Sequence, residues 1–315
     1  MILTKIIAEL CQNHNGDVNI LKDMIWSAAD SGATHAKIQT IFSEDLTFRE
    51  RFENGITTDG VLTSIKRPYS LEHERLSKLE IGFDIHTLFI DECSAAGIIP
   101  LTTVFSRSRL ESIINLGFKE IKIASYDCAS FPLINDLKNK FNHIYVSTGA
   151  THDNEIETTA DLLKDQNFSF LHCVTIYPTP VNKLNLNRID YLRQFTDYTG
   201  FSDHTSPEQN GLDPDIVALW KGANVIERHF TILDPSQTKD GPVSVNPEQL
   251  KNIVEYSKMK SDELSELIKN IPDYYDMLGS KTHTLSEEEL LNRDYYRGRF
   301  ASKINEKTIY NWEGS

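Results

Sequence analysis

No stretch of this sequence is both long and apolar. Its longest such runs, Gly97-Ile98-Ile99-Pro100-Leu101 among them, fall far short of the ~20 residues that a membrane-spanning helix needs. A bilayer is not expected as a partner. Basic runs are missing as well: 32 Lys and Arg stand against 46 Asp and Glu, a formal net charge of −14. Nowhere do cations cluster enough to track a phosphate backbone, which disfavours nucleic acid. An anionic substrate has to be drawn in by local cations rather than by the overall field. Cysteine is scarce. Cys11, Cys93, Cys128 and Cys173 lie far apart without CxxC spacing and with no secretory segment ahead of them, so they read as reduced thiols of a cytoplasmic protein. No GxGxxG follows the first predicted strand, which weakens an open dinucleotide-binding sheet.

What is present is ordinary globular usage, 39% hydrophobic and 25% charged over 315 residues. That is enough for one barrel of about 250 residues plus extras. Short apolar runs alternate with longer amphipathic ones, the pattern of βα units around a parallel sheet. Eight strands are predicted, at Lys5–Leu10, His35–Gln39, Ile98–Thr103, Glu120–Ala124, His143–Ser147, Phe168–Val174, Asp197–Ser202 and Asn224–His229. Helical periodicity marks Ile20–Ser31, Ile85–Ala96, Arg107–Leu116, Phe131–Lys140 and Asn154–Lys164, with Gly32, Gly97 and Gly117 placed to end helices. The fold class is therefore α/β, a (β/α)8 TIM barrel. Residues 40–79 read as an inserted βα excursion and Pro247–Ile268 as the closing helix. The barrel domain is expected over 1–269, and 270–315 as a polar, docked C-terminal tail.

Most predicted strands end in a polar side chain at the C-terminal end, where barrel enzymes build their sites. In chain order these are Glu9, Lys37 with Gln39, Thr103, Lys122 with Ser125 and Asp127, Ser147, Thr175 with Tyr177, Ser202 with His204, and Glu227 with His229. A lone lysine at a strand end is usually a solvated charge. Lys37 and Lys122, however, both sit inside apolar runs, where an ammonium is costly unless it faces a cavity or an anion. Phosphate and carboxylate are the natural anions, with the nearby hydroxyls as further donors. His204 and His229 end consecutive strands and can share a divalent metal, although a single histidine is more often structural. Glu227 faces the same side as His229. It reads either as that histidine's partner or as a buried ion pair with Lys37 or Lys122.

The segments Ala8-Glu9-Leu10-Cys11-Gln12-Asn13-His14-Asn15-Gly16-Asp17, Ala36-Lys37-Ile38-Gln39-Thr40, Lys122-Ile123-Ala124-Ser125, Ser147-Thr148-Gly149, Leu171-His172-Cys173, Tyr177-Pro178-Thr179-Pro180, Ser202-Asp203-His204-Thr205 and Glu227-Arg228-His229-Phe230-Thr231 together resemble the sialic acid synthase family. The match runs in order over roughly residues 3–250, and it is the succession rather than any single motif that is specific. The resemblance implies a metal-dependent condensation of phosphoenolpyruvate with an N-acetylmannosamine-like amino sugar, giving a nine-carbon keto acid and phosphate. It implies that Lys37, Thr103, Lys122, Ser125, Ser147 and Ser202 bind phosphoenolpyruvate. His204 and His229 would hold the metal, manganese by expectation with magnesium or cobalt as alternatives. Asn15, Gln39, Tyr177 and Asp240 would line the sugar, and a homodimer is the family's usual state.

Three departures stand out. Where the family commonly has Ser-Gly-Glu, this chain has Ser125-Tyr126-Asp127, so Asp127 would carry the family carboxylate's role near the cationic carbon on a shorter arm. Thr175 replaces a frequent asparagine or serine. Arg297-Gly298-Arg299-Phe300-Ala301-Ser302-Lys303-Ile304 resembles the lead-in to the family's C-terminal antifreeze-like domain, which is expected to be absent. Arg297 or Arg299 is expected to stand in for the arginine that this domain turns toward the N-acyl group. A different sugar aldehyde, a catalytically silent barrel kept for sugar binding or assembly, and a Schiff-base aldolase on Lys37 or Lys122 are the competing readings.

Overall fold

The computed structural model describes residues 4–272, 274–305 and 307–314. Eight parallel strands close into a barrel: Lys5–Cys11, His35–Thr40, Ile99–Val104, Glu120–Ile123, His143–Ser147, Phe168–His172, Thr199–Asp203 and Val225–His229. The first pairs with both the second and the last, with Glu9 opposite Lys37 on one side and His229 on the other. All eight predicted strands are there, with ends displaced by one or two residues.

Strand alternation explains the layers. Outward residues such as Ile6, Ala8, Leu10, Ile121 and Phe201 pack with the surrounding helices in one large buried apolar cluster. Inward residues form three tiers. At the N-terminal end Lys5, His35, Glu120 and Tyr145 join in a polar plug, with Tyr145 Oη donating to Glu120 at 2.6 Å and the His35 ring 3.0 Å from the same carboxylate. Ile7, Leu101, Tyr145, Leu171 and Val225 make an apolar middle. The third tier, at the C-terminal mouth, is almost wholly charged or polar.

Local sequence sets the helix ends. The Asp17 carboxylate accepts from Asn19 N at 2.7 Å to open the helix Val18–Asp30, while Gly97 and Gly117 close Phe83–Ala96 and Leu110–Leu116 in the left-handed conformation. The expected closing helix is two helices, Pro247–Lys258 and Ser261–Ile268. Met259 and Lys260 are extended, and the Glu263 carboxylate accepts from Lys260 N at 2.7 Å, restarting the helix with a cap that helical periodicity does not reveal.

The excursion after the second strand holds a small hairpin, Ile56–Thr58 with Val61–Ser64, and the helix Tyr69–Leu79. The C-terminal segment adds helix Glu287–Tyr296 and a hairpin of Ser302–Ile304 with Lys307–Ile309. It lies across loops at the barrel mouth: Asn292 Nδ2 donates to Thr175 O at 2.7 Å and Arg293 Nη1 to Ala150 O at 2.5 Å. Phe300 joins Ile41, Leu46 and Leu76 in a separate buried apolar cluster. Among the described residues no helix is long and apolar enough to cross a membrane.

Candidate active site

The charged tier is built from inward residues one step above the apolar layer. Lys37 stands between Glu9, with which it is in direct contact, and Glu227, whose carboxylate is 3.7 Å away. The other Glu227 oxygen is 3.7 Å from Lys122. Lys37 donates to Thr103 Oγ1 at 2.9 Å, Lys122 to Ser147 Oγ at 2.6 Å, and Ser202 Oγ to Glu227 at 3.3 Å. Every member is buried. Of the two readings of Glu227, the structure chooses the ion pair with the lysines over a hydrogen bond to His229. Burial lowers the Lys37 pKa to about 7, with nearby Lys122 adding to the fall and Glu227 opposing it. Burial alone would raise Glu227, but Lys122 and Lys37 hold it below the usual carboxylate range.

Next to this cluster, Ser125 Oγ is 2.9 Å from Cys173 Sγ. The turn Ser147-Thr148-Gly149 passes so close that a Cβ at Gly149 would lie 2.6 Å from Cys173 Sγ and 3.1 Å from Ser125 Oγ. Only glycine lets the backbone run there. The Thr175 hydroxyl is buried without a hydrogen-bond partner. Gln39 lies opposite Thr103 in the strand register.

His204 and His229 come together, ring centroids 5.3 Å apart. Tyr177, about half exposed, packs on His204 at 4.3 Å and forms the outer wall. Burial, and then His229, push the His204 pKa well down; burial also lowers His229, against the pull of Asp240. Both rings are thus neutral, with lone pairs to offer. Nδ1 of each is buried and has no hydrogen-bond partner. Cys11 Sγ, a His229 ring nitrogen and an Asp240 carboxylate oxygen all lie within 4.8 Å of one another. Orphaned imidazole nitrogens beside a thiol and a carboxylate fit a divalent cation.

The remaining predicted residues divide. Asp240, expected at the sugar, stands 4.0 Å from His229 Nδ1. Asn15 is exposed and donates to Gln237 O at 3.1 Å, on the rim. Asp127 is not joined to the lysines: its carboxylate accepts from Ser130 Oγ at 2.8 Å and from Asn311 Nδ2 of the C-terminal segment at 3.0 Å. The short turn Ser125–Asp127 directs it there. Burial raises its pKa to about 6, opposed by those two hydrogen bonds and by Arg297. Tyr126 lies flat on Tyr296, centroids 4.9 Å apart. Tyr126 and Asp127, the two residues that depart from Ser-Gly-Glu, therefore both meet the C-terminal segment. Arg299 is in contact with Glu72, and Arg297 is 3.7 Å from Glu155.

Sequence reasoning passed over Cys11 as a site residue. It follows Glu9 by two residues across a break in strand register, so period-two alternation gave no guide to its direction; the folded structure brings its thiol to His229 and Asp240. Asn311 carried no signal. A surface groove of about 590 Å³ between Trp26 and Lys251 contains none of these groups.

A profile described as the NeuB family matches residues 24–269. An N,N'-diacetyllegionaminic acid synthase of Campylobacter jejuni is 33% identical over 262 residues, 79% of this chain and 73% of its own length. An N-acetylneuraminate-9-phosphate synthase of Mus musculus is 27% identical, over 89% of this chain and 72% of its own. Among solved structures, an N-acetylneuraminic acid synthetase from Leptospira borgpetersenii, crystallised with citrate, superposes with a TM-score of 0.69 at 27% identity, covering 93% of this chain and 90% of that one.

Proposed function

We propose that this chain, which belongs to the NeuB family and is an enzyme, joins phosphoenolpyruvate to the open-chain aldehyde of an N-acetylmannosamine-like amino sugar. The products are a nine-carbon keto sugar acid and phosphate. One observation carries the reading: two buried lysines flank Glu227 at 3.7 Å each, beside two neutral, unpartnered histidines at the same barrel mouth.

In this reading the ammoniums of Lys37 and Lys122, with the hydroxyls of Thr103, Ser125, Ser147 and Ser202, receive the phosphate and carboxylate of phosphoenolpyruvate. Glu9 and Glu227 keep both lysines in place and offset their charge until the anion arrives. Asn15, Gln39, Thr175 and Tyr177 line the acceptor side. His204 and His229 would hold a divalent metal; manganese follows from the family resemblance, with magnesium or cobalt as alternatives. When bound, such an ion supplies Lewis-acid polarisation of the aldehyde oxygen. The methylene carbon of phosphoenolpyruvate then bonds to the aldehyde carbon, water adds to the cationic enol carbon, and phosphate leaves. Glu227, between the two lysines, is the carboxylate placed to stabilise that cation. Asp127 serves as an anchor for the C-terminal segment.

The relatives named above carry different acceptors in their names, so the acceptor is left at the level of an amino-sugar aldehyde. A cytoplasmic location fits four buried free thiols. The test is phosphate release from phosphoenolpyruvate with manganese and a panel of amino sugars. Release that depends on the sugar and is lost in His204→Ala supports the proposal. Silence with every sugar despite metal binding would favour a barrel kept for binding alone.

A further inference from the structure

The metal seat expected from sequence was two histidines, a ligand set that chooses weakly among divalent ions. A third and a fourth group lie beside it. Cys11 Sγ, a ring nitrogen of His229 and a carboxylate oxygen of Asp240 are mutually within 4.8 Å. The closing pair of strands produces this: Glu9 is in register with His229, and the register then breaks before Cys11, which pairs with Ile38 of the second strand, so the alternation of faces is interrupted where the thiol meets His229. Cys11 has φ 41, a left-handed backbone that is costly for a residue with a Cβ, and its N–H donates to Glu9 at 2.7 Å. The thiol is thus held in the cavity by a strained turn tied to the lysine-binding carboxylate. The independent sign of a missing ligand is at the histidines, where Nδ1 of His229 and of His204 are both buried without a partner.

We propose that Cys11 is a thiolate ligand of the metal, in one coordination sphere with His229 and Asp240 and with His204 as the flanking imidazole, and that the resident ion is therefore thiophilic: cobalt, ferrous iron or zinc in preference to magnesium. Thiolate with imidazole and one carboxylate is the donor set of those ions, whereas magnesium takes oxygen and keeps its waters. Ligation also gives Asp240 a role at the ion rather than solely at the sugar. The inference rests on the condensation reading for the ion's use, but not for its binding.

The experiment is cobalt titration of the chelator-treated full-length protein, read by absorption. The wild type gives visible ligand-field bands together with a near-ultraviolet thiolate-to-cobalt band. Cys11→Ser keeps the first, loses the second and binds zinc at least about tenfold more weakly, while its weak magnesium affinity is unchanged. Should that variant fail to fold, zinc-edge X-ray absorption of the wild type decides: one sulfur at about 2.3 Å supports the proposal and a shell of nitrogen and oxygen alone overturns it. Cobalt bands that vanish in His229→Ala but never include the sulfur band overturn the thiolate and leave the condensation reading standing. Sugar-dependent phosphate release untouched by chelation overturns the metal's part in that reading instead.

Discussion

The side-chain amide of Asn311 donates to the Asp127 carboxylate at 3.0 Å, tying the last residues of the chain to the turn after the fourth barrel strand. Asp127 has an ordinary value of 3.8 raised to about 6 by burial. A carboxyl raised in the folded state binds more protons folded than unfolded between those values. Stability therefore falls as pH rises from about 4 to about 6, and the cost persists above. Asp127→Asn removes it, a gain of at most about 3 kcal/mol before screening. The variant's melting temperature is expected to exceed the wild type's at pH 8 by more than at pH 4.5; an equal difference at both would show that Asp127 titrates without strain.

Tyr126 on Tyr296 is the second fastening of this segment. An aromatic pair is worth about 0.5–1.5 kcal/mol beyond its buried area. Tyr296→Ala should raise amide exchange across 287–314 while leaving the barrel strands protected, as hydrogen-exchange mass spectrometry would read it. Uniform exchange changes would mean that the segment and barrel open together.

Lys37 is poised to lose its charge through neutral pH, its value lowered to about 7 by burial. An anion needs the ammonium form, so phosphoenolpyruvate affinity is expected to weaken as pH rises from about 6 to about 8. Lys37→Arg, whose guanidinium stays charged, should flatten that dependence. Isothermal titration across pH reads both, and an unchanged slope in Lys37→Arg would assign the titration to another group.

Removing Lys37 altogether is a harsher matter, because Glu9 would be left buried without its lysine and Glu227 would keep only Lys122, at 3.7 Å. Lys37→Met should cost about 3–5 kcal/mol of stability, with much of it recovered in the double variant Lys37→Met, Glu9→Gln. Denaturant unfolding of four proteins, the wild type, Lys37→Met, Glu9→Gln and the double variant, forms the cycle.

Beneath the histidines, Arg228 and Asp203 form an ion pair with no solvent exposure, and Asp203 also accepts from Thr205 N at 2.8 Å and from Thr205 Oγ1 at 3.0 Å. The pair points outward from the two strands whose next inward residues are His204 and His229. Asp203→Asn is expected to weaken metal binding at least tenfold while Thr205 keeps an acceptor. Unchanged affinity measured by competition with a chelating dye would make the pair purely structural.

Much of this was already legible in the residues. Strand existence and inward direction follow from a period of two that each short segment carries by itself, which is why Lys37, Thr103, Lys122, Ser147, Ser202, His204 and His229 could be picked out along one rim. The helix break at Met259 was not legible, since it rests on a cap rather than on periodicity. Nor was the company each residue keeps. Glu227 could have served His229 or the lysines, Asp127 the reacting carbon or the C-terminal segment, and Cys11 nothing at all. Those choices depend on how the first and last strands register when the barrel closes and on where the final residues lie across its mouth. Both bring together groups from opposite ends of the chain, and local patterning in a sequence holds no record of such distances. The sequence by itself determined the barrel and the identity of its polar rim; only closure of the sheet decided which carboxylate neutralises which lysine and which thiol meets which imidazole.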